Sequence, residues 1–255
     1  MSVPEMSGAE MIGAELSVPE LCALTGAELD ALVGACFERA VAGKAPADGK
    51  VYVQTLGAPG VGKSSLDRSV VPGAAGAAVL DSDSVLESHP RRAAIGRAAD
   101  AAGGTALADC VAQVAEQVIS AVLGRLFDAE MSVVLQSHQP RRLLDARLRG
   151  YRTVLLFVGA PLATAQYRAR RRSADSGRLL GQSLADQDSI IERLHYMYAF
   201  EAPLWAQWAG EFVLCRNGGR APEFRAPDHV PSGKAADRQD KKIAELMEHV
   251  AWAIS

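Results

Sequence analysis

Eight consecutive residues, Gly57 to Ser64, have the types and spacing needed to hold a triphosphate. They read Gly-Ala-Pro-Gly-Val-Gly-Lys-Ser and fit the pattern G-x-x-x-x-G-K-[ST] at every defined position. Glycines permit a tight loop whose backbone N–H groups point at phosphate oxygens, and a helix starting after the loop would add its positive end. We therefore predict a nucleotide-binding loop made of Gly57, Ala58, Pro59, Gly60, Val61, Gly62, Lys63, Ser64 and Ser65.

Two side chains of this loop carry the groups that would meet the charge of the nucleotide. The ammonium group of Lys63 is expected to reach the β- and γ-phosphates. The hydroxyl group of Ser64 is the expected ligand of Mg²⁺, which prefers oxygen ligands and phosphate bridging. The alternative interpretation of the same residues is a glycine-rich turn that binds nothing.

The segment Asp81-Ser82-Asp83 follows a short apolar run that predicts a strand. In an open α/β sheet, ligands bind at the carboxyl ends of the strands. Phosphoryl transfer needs a group that orients the acceptor hydroxyl and takes its proton. We expect Asp83 to be this base, with Asp81 near the acceptor or near Mg²⁺ through water. A turn or a helix cap is the alternative, since Asp and Ser favour both.

Arginines are concentrated between positions 141 and 178, where ten of them face two aspartates and no lysine or glutamate. Several follow Pro161 on a predicted helix, and Arg178 lies in a glycine-containing loop after it. This pattern is typical of a lid whose arginines neutralise charge on a transferring phosphate. Arg172 and Arg178 are the expected phosphate contacts, followed by Arg168; a solvated cationic face is the alternative.

The elements that must position these residues alternate along the chain. Short apolar runs predict strands, and 3.6-residue periodicity predicts helices between them. This alternation predicts an α/β protein with a mostly parallel central sheet flanked by helices, and with extra N- and C-terminal helices. Together with the phosphate loop it predicts the P-loop NTPase/kinase fold. Predicted strands span 50–56, 77–80, 132–135, 152–158 and 211–215, and predicted helices follow the loop from 63 and span 91–101, 105–128, the stretch after 161, 184–208 and 236–254.

The chain divides into four predicted parts. Residues 1–16 are expected to be a flexible leader, and residues 17–45 an N-terminal helical segment in which Thr25 and Glu28 form a capping box. Residues 46–217 are expected to form the kinase core. Residues 218–255 are expected to form a tail that is rich in Gly and Pro at its start and ends in a helix.

The composition and net charge of the chain limit the kinds of molecule that it is expected to bind. Hydrophobic residues make up 49% of the 255 residues, and the net charge of −3 does not indicate binding to nucleic acid or to an anionic membrane. No signal peptide and no apolar run of membrane-spanning length is seen, so a cytoplasmic location is expected. The four cysteines are far apart, which predicts neither a zinc site nor a disulfide framework.

Taken together, these motifs resemble the zeta-toxin family, the P-loop kinases of toxin–antitoxin systems. The resemblance rests on the phosphate loop, Asp81-Ser82-Asp83, His89-Pro90 and the arginine-rich helix and lid, and it extends from about Val51 to Asn217. It implies a kinase that phosphorylates the 3′-hydroxyl of the sugar in UDP-N-acetylglucosamine. An antitoxin is the protein partner that it implies.

The resemblance also implies roles for individual residues. Lys63 and Ser64 would hold ATP and Mg²⁺, and Asp83 would be the base. Arg172 and Arg178 would clamp the transferring phosphate, with Arg168, one turn earlier, as the alternative to Arg172. In this family an antitoxin helix can block the nucleotide site, so residues 17–43 could either do so in cis or simply pack on the sheet.

One departure from the family concerns the acceptor. After the third strand the family usually has a glutamate followed by Gly and Thr, which contact the sugar substrate. Here the strand ends in Gln136-Ser137-His138-Gln139, so Gln136 and His138 are the candidate contacts. Gln136 can hydrogen-bond but carries no charge, which leaves the identity of the acceptor open.

Other functions remain to be separated from this one. One is a kinase of another small molecule, such as a nucleotide, a dinucleotide or an antibiotic. Another is a regulatory nucleotide-binding module or ATPase subunit; the lack of an N-K-x-D run and of an acid at the end of the third strand favours the kinase. A third is a weakened relative that mainly binds a partner, supported only by Gln136.

Overall fold

The computed structural model describes residues 18–46, 49–66, 70–81, 85, 88–102, 105–136, 138–176, 184–218, 221–226 and 236–255. The predicted leader, residues 1–16, lies outside this part of the chain. Two residues of the predicted site, Asp83 and Arg178, also lie outside it.

A six-stranded sheet forms the centre of the protein, with the order β2-β3-β1-β4-β5-β6. The first five strands in this order are parallel, and β6 pairs antiparallel with β5. The predicted α/β fold with a mostly parallel sheet is therefore confirmed. The strands are β1 (Val51–Leu56), β2 (Ala78–Asp81), β3 (Val133–Gln136), β4 (Arg152–Gly159), β5 (Glu211–Arg216) and β6 (Glu223–Arg225).

Strand β1 lies between β3 and β4, and all six of its residues are buried. A strand covered on both faces is mostly apolar without alternation, and here only Gln54 and Thr55 are polar. Tyr52 pairs with Val133 on one side, and Val53 pairs with Val154 on the other. The loop that leaves β1 therefore emerges in the middle of the carboxyl edge of the sheet, the place where open α/β sheets bind ligands.

Helices cover both faces of the sheet and divide the buried apolar residues into two clusters. One cluster contains the N-terminal helices and the long helix before β3, and the other lies under the phosphate loop. The helices are α1 (Val18–Cys22), α2 (Gly26–Val41), α3 (Arg92–Ala102), α4 (Thr105–Asp128), α5 (Arg141–Leu148), α6 (Leu162–Ser176), α7 (Leu184–Ala206) and α8 (Ala236–Ile254). No helix in the described ranges is long and apolar enough to cross a membrane.

The N-terminal helices α1 and α2 pack on α3, α4 and the edge strand β2. Helix α2 begins with the predicted capping box, in which the Thr25 side chain accepts from the Glu28 backbone N–H and the Glu28 carboxylate accepts from the Thr25 backbone N–H. Arg91 joins this segment to the core by donating to the Glu28 carboxylate and to the carbonyl oxygens of Leu21 and Ala23. Of the two arrangements considered for this segment, the structure shows packing on the core.

The C-terminal helix α8 packs against β4 and β5. Leu246, Val250 and Ala253 are buried on its inner face. A Cβ atom at Gly159, the last residue of β4, would lie 2.4 Å from the Ala253 carbonyl oxygen. Glycine at position 159 is therefore what lets the end of α8 approach the strand.

Four local expectations differ from the structure. The helix predicted after the phosphate loop is, in the described residues, a single 3-10 turn at Lys63–Ser65, because the backbone of Leu66 is extended (ψ 136°). The helix α5 and the edge strand β6 were not predicted. Cys22 is disulfide-bonded, although the cysteine spacing did not indicate a disulfide, and Cys36 and Cys215 are free thiols.

We predict that the protein loses stability as the pH falls below about 6.5, the usual histidine value. Burial lowers the pKa of His89 and of His195, so the unfolded chain takes up protons in a range where the folded chain does not. Stability is full above the unfolded pKa and declines as the pH falls toward the folded values. Urea unfolding at pH 7.5, 6.5 and 5.5 measures this, and His195→Gln should weaken the dependence. A midpoint that stays constant across this range in the wild type would contradict the prediction.

Candidate active site

A cavity of about 460 Å³ opens at the carboxyl edge of the sheet, around the loop that follows β1. Its walls come from the ends of β1, β2 and β3 and from the helices α6 and α7. The volume falls in the range of small-molecule sites. The lining residues are Thr55, Leu56, Gly57, Pro59, Gly60, Gly62, Lys63, Ser64, Ser65, Asp81, Gln136, His138, Arg168, Ala169, Arg172, Ser173, Gln187 and Tyr198.

The curvature of the phosphate loop depends on glycine. Gly60 and Gly62 have φ values of 83° and 90°, in a region that side chains with a Cβ rarely adopt. A Cβ at Gly60 would lie 2.1 Å from the Ala165 carbonyl oxygen, and one at Gly62 would lie 2.3 Å from Nδ2 of Asn217. Both glycines are therefore required by backbone conformation and by space, as expected of a loop that wraps its amides around a ligand.

Lys63 and Ser64 line the cavity, and Lys63 folds over the loop. Its ammonium group donates to the carbonyl oxygens of Gly57 and Ala58 at 2.6 and 3.0 Å. Since the turn that follows is only three residues long, the positive charge of the loop comes mainly from its N–H groups and from Lys63. Ala58 and Val61 are buried and contribute backbone groups.

Two side chains from distant elements brace the loop. Asn217, which directly follows β5, donates from Nδ2 to the Val61 carbonyl oxygen at 2.9 Å. Arg168, on α6, donates from Nη1 to the Asn217 carbonyl oxygen at 2.8 Å and approaches the Val61 oxygen at 3.5 Å. Helix α6 and the loop are thus connected through main-chain oxygens. No sequence motif indicated a site role for Asn217.

The other arginines of α6 point in different directions. Arg172 lines the cavity one turn after Arg168, as the helical spacing predicts. Arg170 instead donates to the Asp188 carboxylate of α7, which ties the two helices together. A second tie is the buried hydrogen bond of 2.7 Å from the Ser173 hydroxyl to Oε1 of Gln187. Helix α6 is therefore fixed to α7 on one side while Arg168 and Arg172 face the loop.

Asp81, Gln136 and His138 line the opposite part of the cavity, where β2 and β3 end. Tyr198 from α7 joins them. The structure thus brings Asp81, Gln136 and His138 to the same cavity as Lys63 and Ser64. Asp83 lies outside the described residues.

His138 belongs to a small cluster at the cavity mouth that the sequence did not indicate. Its Nε2 atom lies 2.7 Å from Oε2 of Glu201, and its ring packs against Tyr198 and Trp205 with centroid separations of 4.7 and 4.9 Å. Burial, and then the Glu201 charge, raise the pKa of Tyr198, so its phenol keeps its proton. No sequence pattern joins these residues, because Glu201 is 63 positions away from His138.

Comparisons with known proteins agree with this architecture. The family model described as "AAA domain" matches residues 53–194, more than half of the chain. A chain from the PezAT chromosomal toxin–antitoxin system of Streptococcus pneumoniae superposes with a TM-score of 0.63 at 10% identity, covering 92% of this chain and 98% of that one. A chain from AvrRxo1-ORF1:-ORF2 with ATP gives a TM-score of 0.50 at 12% identity, covering 89% and 83%.

No curated protein matches the chain in sequence. At these identities the structural matches report a shared fold. The resemblance to the zeta-toxin family is confirmed at that level, since the PezAT match extends over nearly the whole of both chains. The family model and the shared fold together support the predicted P-loop kinase-like fold.

We predict that Gly60→Ala prevents nucleotide binding and lowers the unfolding free energy by about 1–3 kcal/mol, a typical cost of backbone strain. The new Cβ would meet the Ala165 carbonyl oxygen at 2.1 Å. Calorimetric titration with ATP and urea unfolding measure the two effects. Gly34→Ala, in α2 with open space around it, is the control and should keep full affinity. Wild-type affinity in Gly60→Ala would disprove the role assigned to the loop.

Proposed function

We propose that this chain, which belongs to the AAA domain family, is a kinase that transfers the γ-phosphate of ATP to a hydroxyl group of a small molecule. One observation carries the proposal. A single cavity is lined by the phosphate loop, by a carboxylate at the end of β2 and by two arginines of α6. Phosphoryl transfer consists largely of positioning and charge stabilisation, and these are the groups that supply both.

The phosphate loop would bind the donor. Its backbone N–H groups would meet the phosphate oxygens, and Lys63 would exchange its loop carbonyl partners for the β- and γ-phosphates. The glycines allow this approach, since a Cβ at Gly62 would already collide with Asn217. ATP as the donor is supported by the AvrRxo1 neighbour, whose structure is described with ATP.

The residues present fit a magnesium nucleotide. Ser64 offers a hydroxyl oxygen at the edge of the loop, and Asp81 offers a carboxylate in the same cavity. When bound, Mg²⁺ neutralises part of the charge on the β- and γ-phosphates. Within the described residues no cluster of three His, Cys, Asp or Glu side chains forms an all-protein metal cage, and a phosphate-bridging ion does not require one.

Activation of the acceptor is assigned to the carboxylates after β2. We propose Asp83 as the base that takes the proton of the acceptor hydroxyl, with Asp81 orienting that hydroxyl or supporting Mg²⁺ through water. Asp81 lines the cavity, and Asp83 follows it by two positions. A carboxylate beside a metal-bound triphosphate suits this task, because it accepts the proton as the hydroxyl oxygen attacks.

The arginines would have two different roles, stabilising charge on the transferring phosphate and supporting the phosphate loop. Arg172, which lines the cavity, would stabilise the charge that develops on it, together with Arg178. Arg168 would hold the loop in shape, since its guanidinium already donates to the carbonyl oxygen of Asn217 and approaches that of Val61. The roles of Arg168 and Arg172 therefore differ although both face the same cavity.

The proposed acceptor is a nucleotide sugar such as UDP-N-acetylglucosamine. Its support is the zeta-toxin resemblance of the sequence and the shared fold of the PezAT chain. Gln136 stands where that family usually has glutamate, so a kinase of another small molecule, such as a nucleotide, a dinucleotide or an antibiotic, is the second candidate. A regulatory nucleotide-binding module without transfer activity is the third.

An antitoxin protein is the proposed partner. The PezAT neighbour belongs to a toxin–antitoxin system, and the AvrRxo1 neighbour is described with two components, ORF1 and ORF2. None of the described residues between 18 and 46 lines the nucleotide cavity, which favours a blocking segment supplied by another chain over one supplied in cis.

We predict that Mg-ATP and UDP-N-acetylglucosamine yield a phosphorylated sugar nucleotide, and that Lys63→Ala and Asp83→Ala reduce its formation about a hundredfold or more. Mass spectrometry of the products measures the transfer. Lys50→Ala is the matched control, because Lys50 pairs with Glu130 at 2.7 Å at the opposite end of β1. The same assay is run with a panel of nucleotides and antibiotics. If one of these is phosphorylated instead, that compound replaces UDP-N-acetylglucosamine as the proposed acceptor. ATP bound but never transferred would favour the regulatory module.

Separate effects are predicted for the two arginines of α6 that line the cavity. Arg172→Ala should lower kcat about a hundredfold with little change in ATP affinity, because it removes charge stabilisation of the transition state. Arg168→Ala should weaken ATP binding about tenfold by loosening the loop. Steady-state kinetics and ATP titrations separate these outcomes, and Arg171→Ala, an exposed neighbour, is the control. Equal kcat losses in both variants would refute the division of roles.

A further inference from the structure

One side of the cavity carries arginines, and the described lining residues on the other side include no lysine or arginine. The arginines are Arg168 and Arg172, on the helix after β4. On the other side, Gln136 ends β3 and His138 follows it. Since β3 and β4 lie on opposite sides of β1, the sheet order separates Gln136 and His138 from the arginines.

His138 is held in place on the side without lysine or arginine. Its Nε2 atom lies 2.7 Å from Oε2 of Glu201, and its ring packs against the rings of Tyr198 and Trp205. Trp205 is 7% exposed, so this support is part of the protein interior. A ring fixed by a hydrogen bond at one nitrogen and by two aromatic contacts has a defined orientation.

The partner of Nε2 determines which hydrogen-bonding group remains. An ionised carboxylate only accepts hydrogen bonds, so Glu201 selects the form of the neutral imidazole that carries its proton on Nε2. Nδ1 then keeps its lone pair and can only accept. Tyr198, also at the cavity wall, retains its phenol proton because burial raises its pKa, and it can donate. A hydroxyl group both donates and accepts, and so matches this pair.

We propose that Glu201 is a positioning residue that fixes His138 so that Nδ1 accepts a hydrogen bond from a hydroxyl group of the acceptor. The part of the acceptor bound here is a hydroxyl-bearing moiety of the polyol class that carries no anionic group. This inference rests on the proposed kinase function and assigns the specificity of the same site. It adds Tyr198 to the acceptor contacts, and Glu201 as the residue that orients His138.

An anionic acceptor group fits this side poorly. None of the described lining residues that follow β2 and β3 is a lysine or an arginine, while Asp81 carries a carboxylate. A phosphate or carboxylate placed here would be repelled by the Asp81 carboxylate.

The form of the His138 ring can be measured without knowing the acceptor. Long-range ¹H–¹⁵N correlation spectra of the full-length protein at pH 8 distinguish the two neutral forms, with the His138 signals identified from His138→Ala. We expect a proton on Nε2 and an unprotonated Nδ1. A proton on Nδ1 in the wild type overturns the proposal.

Kinetics then test the effect on the acceptor. Phosphate transfer from Mg-ATP is measured to UDP-N-acetylglucosamine, glucose, 3-phosphoglycerate and an aminoglycoside. For each acceptor used, Glu201→Ala and His138→Ala should raise its KM about tenfold while the Kd of ATP stays unchanged. Glu201→Gln should recover most of the affinity, because its amide oxygen still accepts from Nε2. Glu192→Ala, an exposed carboxylate on the same helix, is the matched control.

The outcomes separate this inference from the kinase function itself. An unchanged acceptor KM in both alanine variants overturns the inference and leaves the kinase intact. So does transfer to 3-phosphoglycerate in preference to UDP-N-acetylglucosamine and glucose. If ATP binds but no acceptor is phosphorylated, the kinase proposal fails. The Nδ1 chemical shift is then recorded with UDP-N-acetylglucosamine and with glucose: a change with either supports the hydrogen bond, and no change with both overturns it.

Discussion

The site depends on the tight curvature of one loop at the end of the central strand. Gly60 and Gly62 hold backbone conformations that other residues rarely adopt, and each has a neighbouring group where a Cβ would be. Under the proposed function, the backbone N–H groups of this curved loop are the fixed donors for the phosphate oxygens. Asn217 and Arg168 keep the loop in this shape by binding its carbonyl oxygens or each other.

The order of the strands then determines what surrounds that point. Because β1 is flanked by β3 on one side and by β4 on the other, whatever follows β3 and whatever follows β4 must face each other across the loop. The chain places Gln136 and His138 on the first side and the arginines of α6 on the second. A site with arginines on one side and no lysine or arginine among the described residues of the other is a direct result of this topology.

Much of this could be predicted from the sequence, and the failures have physical causes. The five parallel strands lie within one residue of their predicted bounds, because fully buried strands read as short apolar runs. Helix α5 was missed because its leucines do not share a face: Leu143 is buried while Leu148 is 78% exposed. Strand β6 is exposed at every residue, so no burial pattern reveals it. Tyr198, at the cavity, and Glu201, which contacts His138, belong to a helix far along the chain that only folding brings near His138.

The bracing of the loop has a consequence for how sequences of this kind diverge. The side chains of Arg168 and Asn217 both contact the main-chain carbonyl oxygen of Val61. This oxygen is present whatever side chain position 61 carries. A substitution at position 61 therefore does not oblige its partners to change with it. Correlated substitutions between positions of a sequence alignment would not reveal this contact, although it joins residues 156 positions apart. Such a connection becomes visible only in three dimensions.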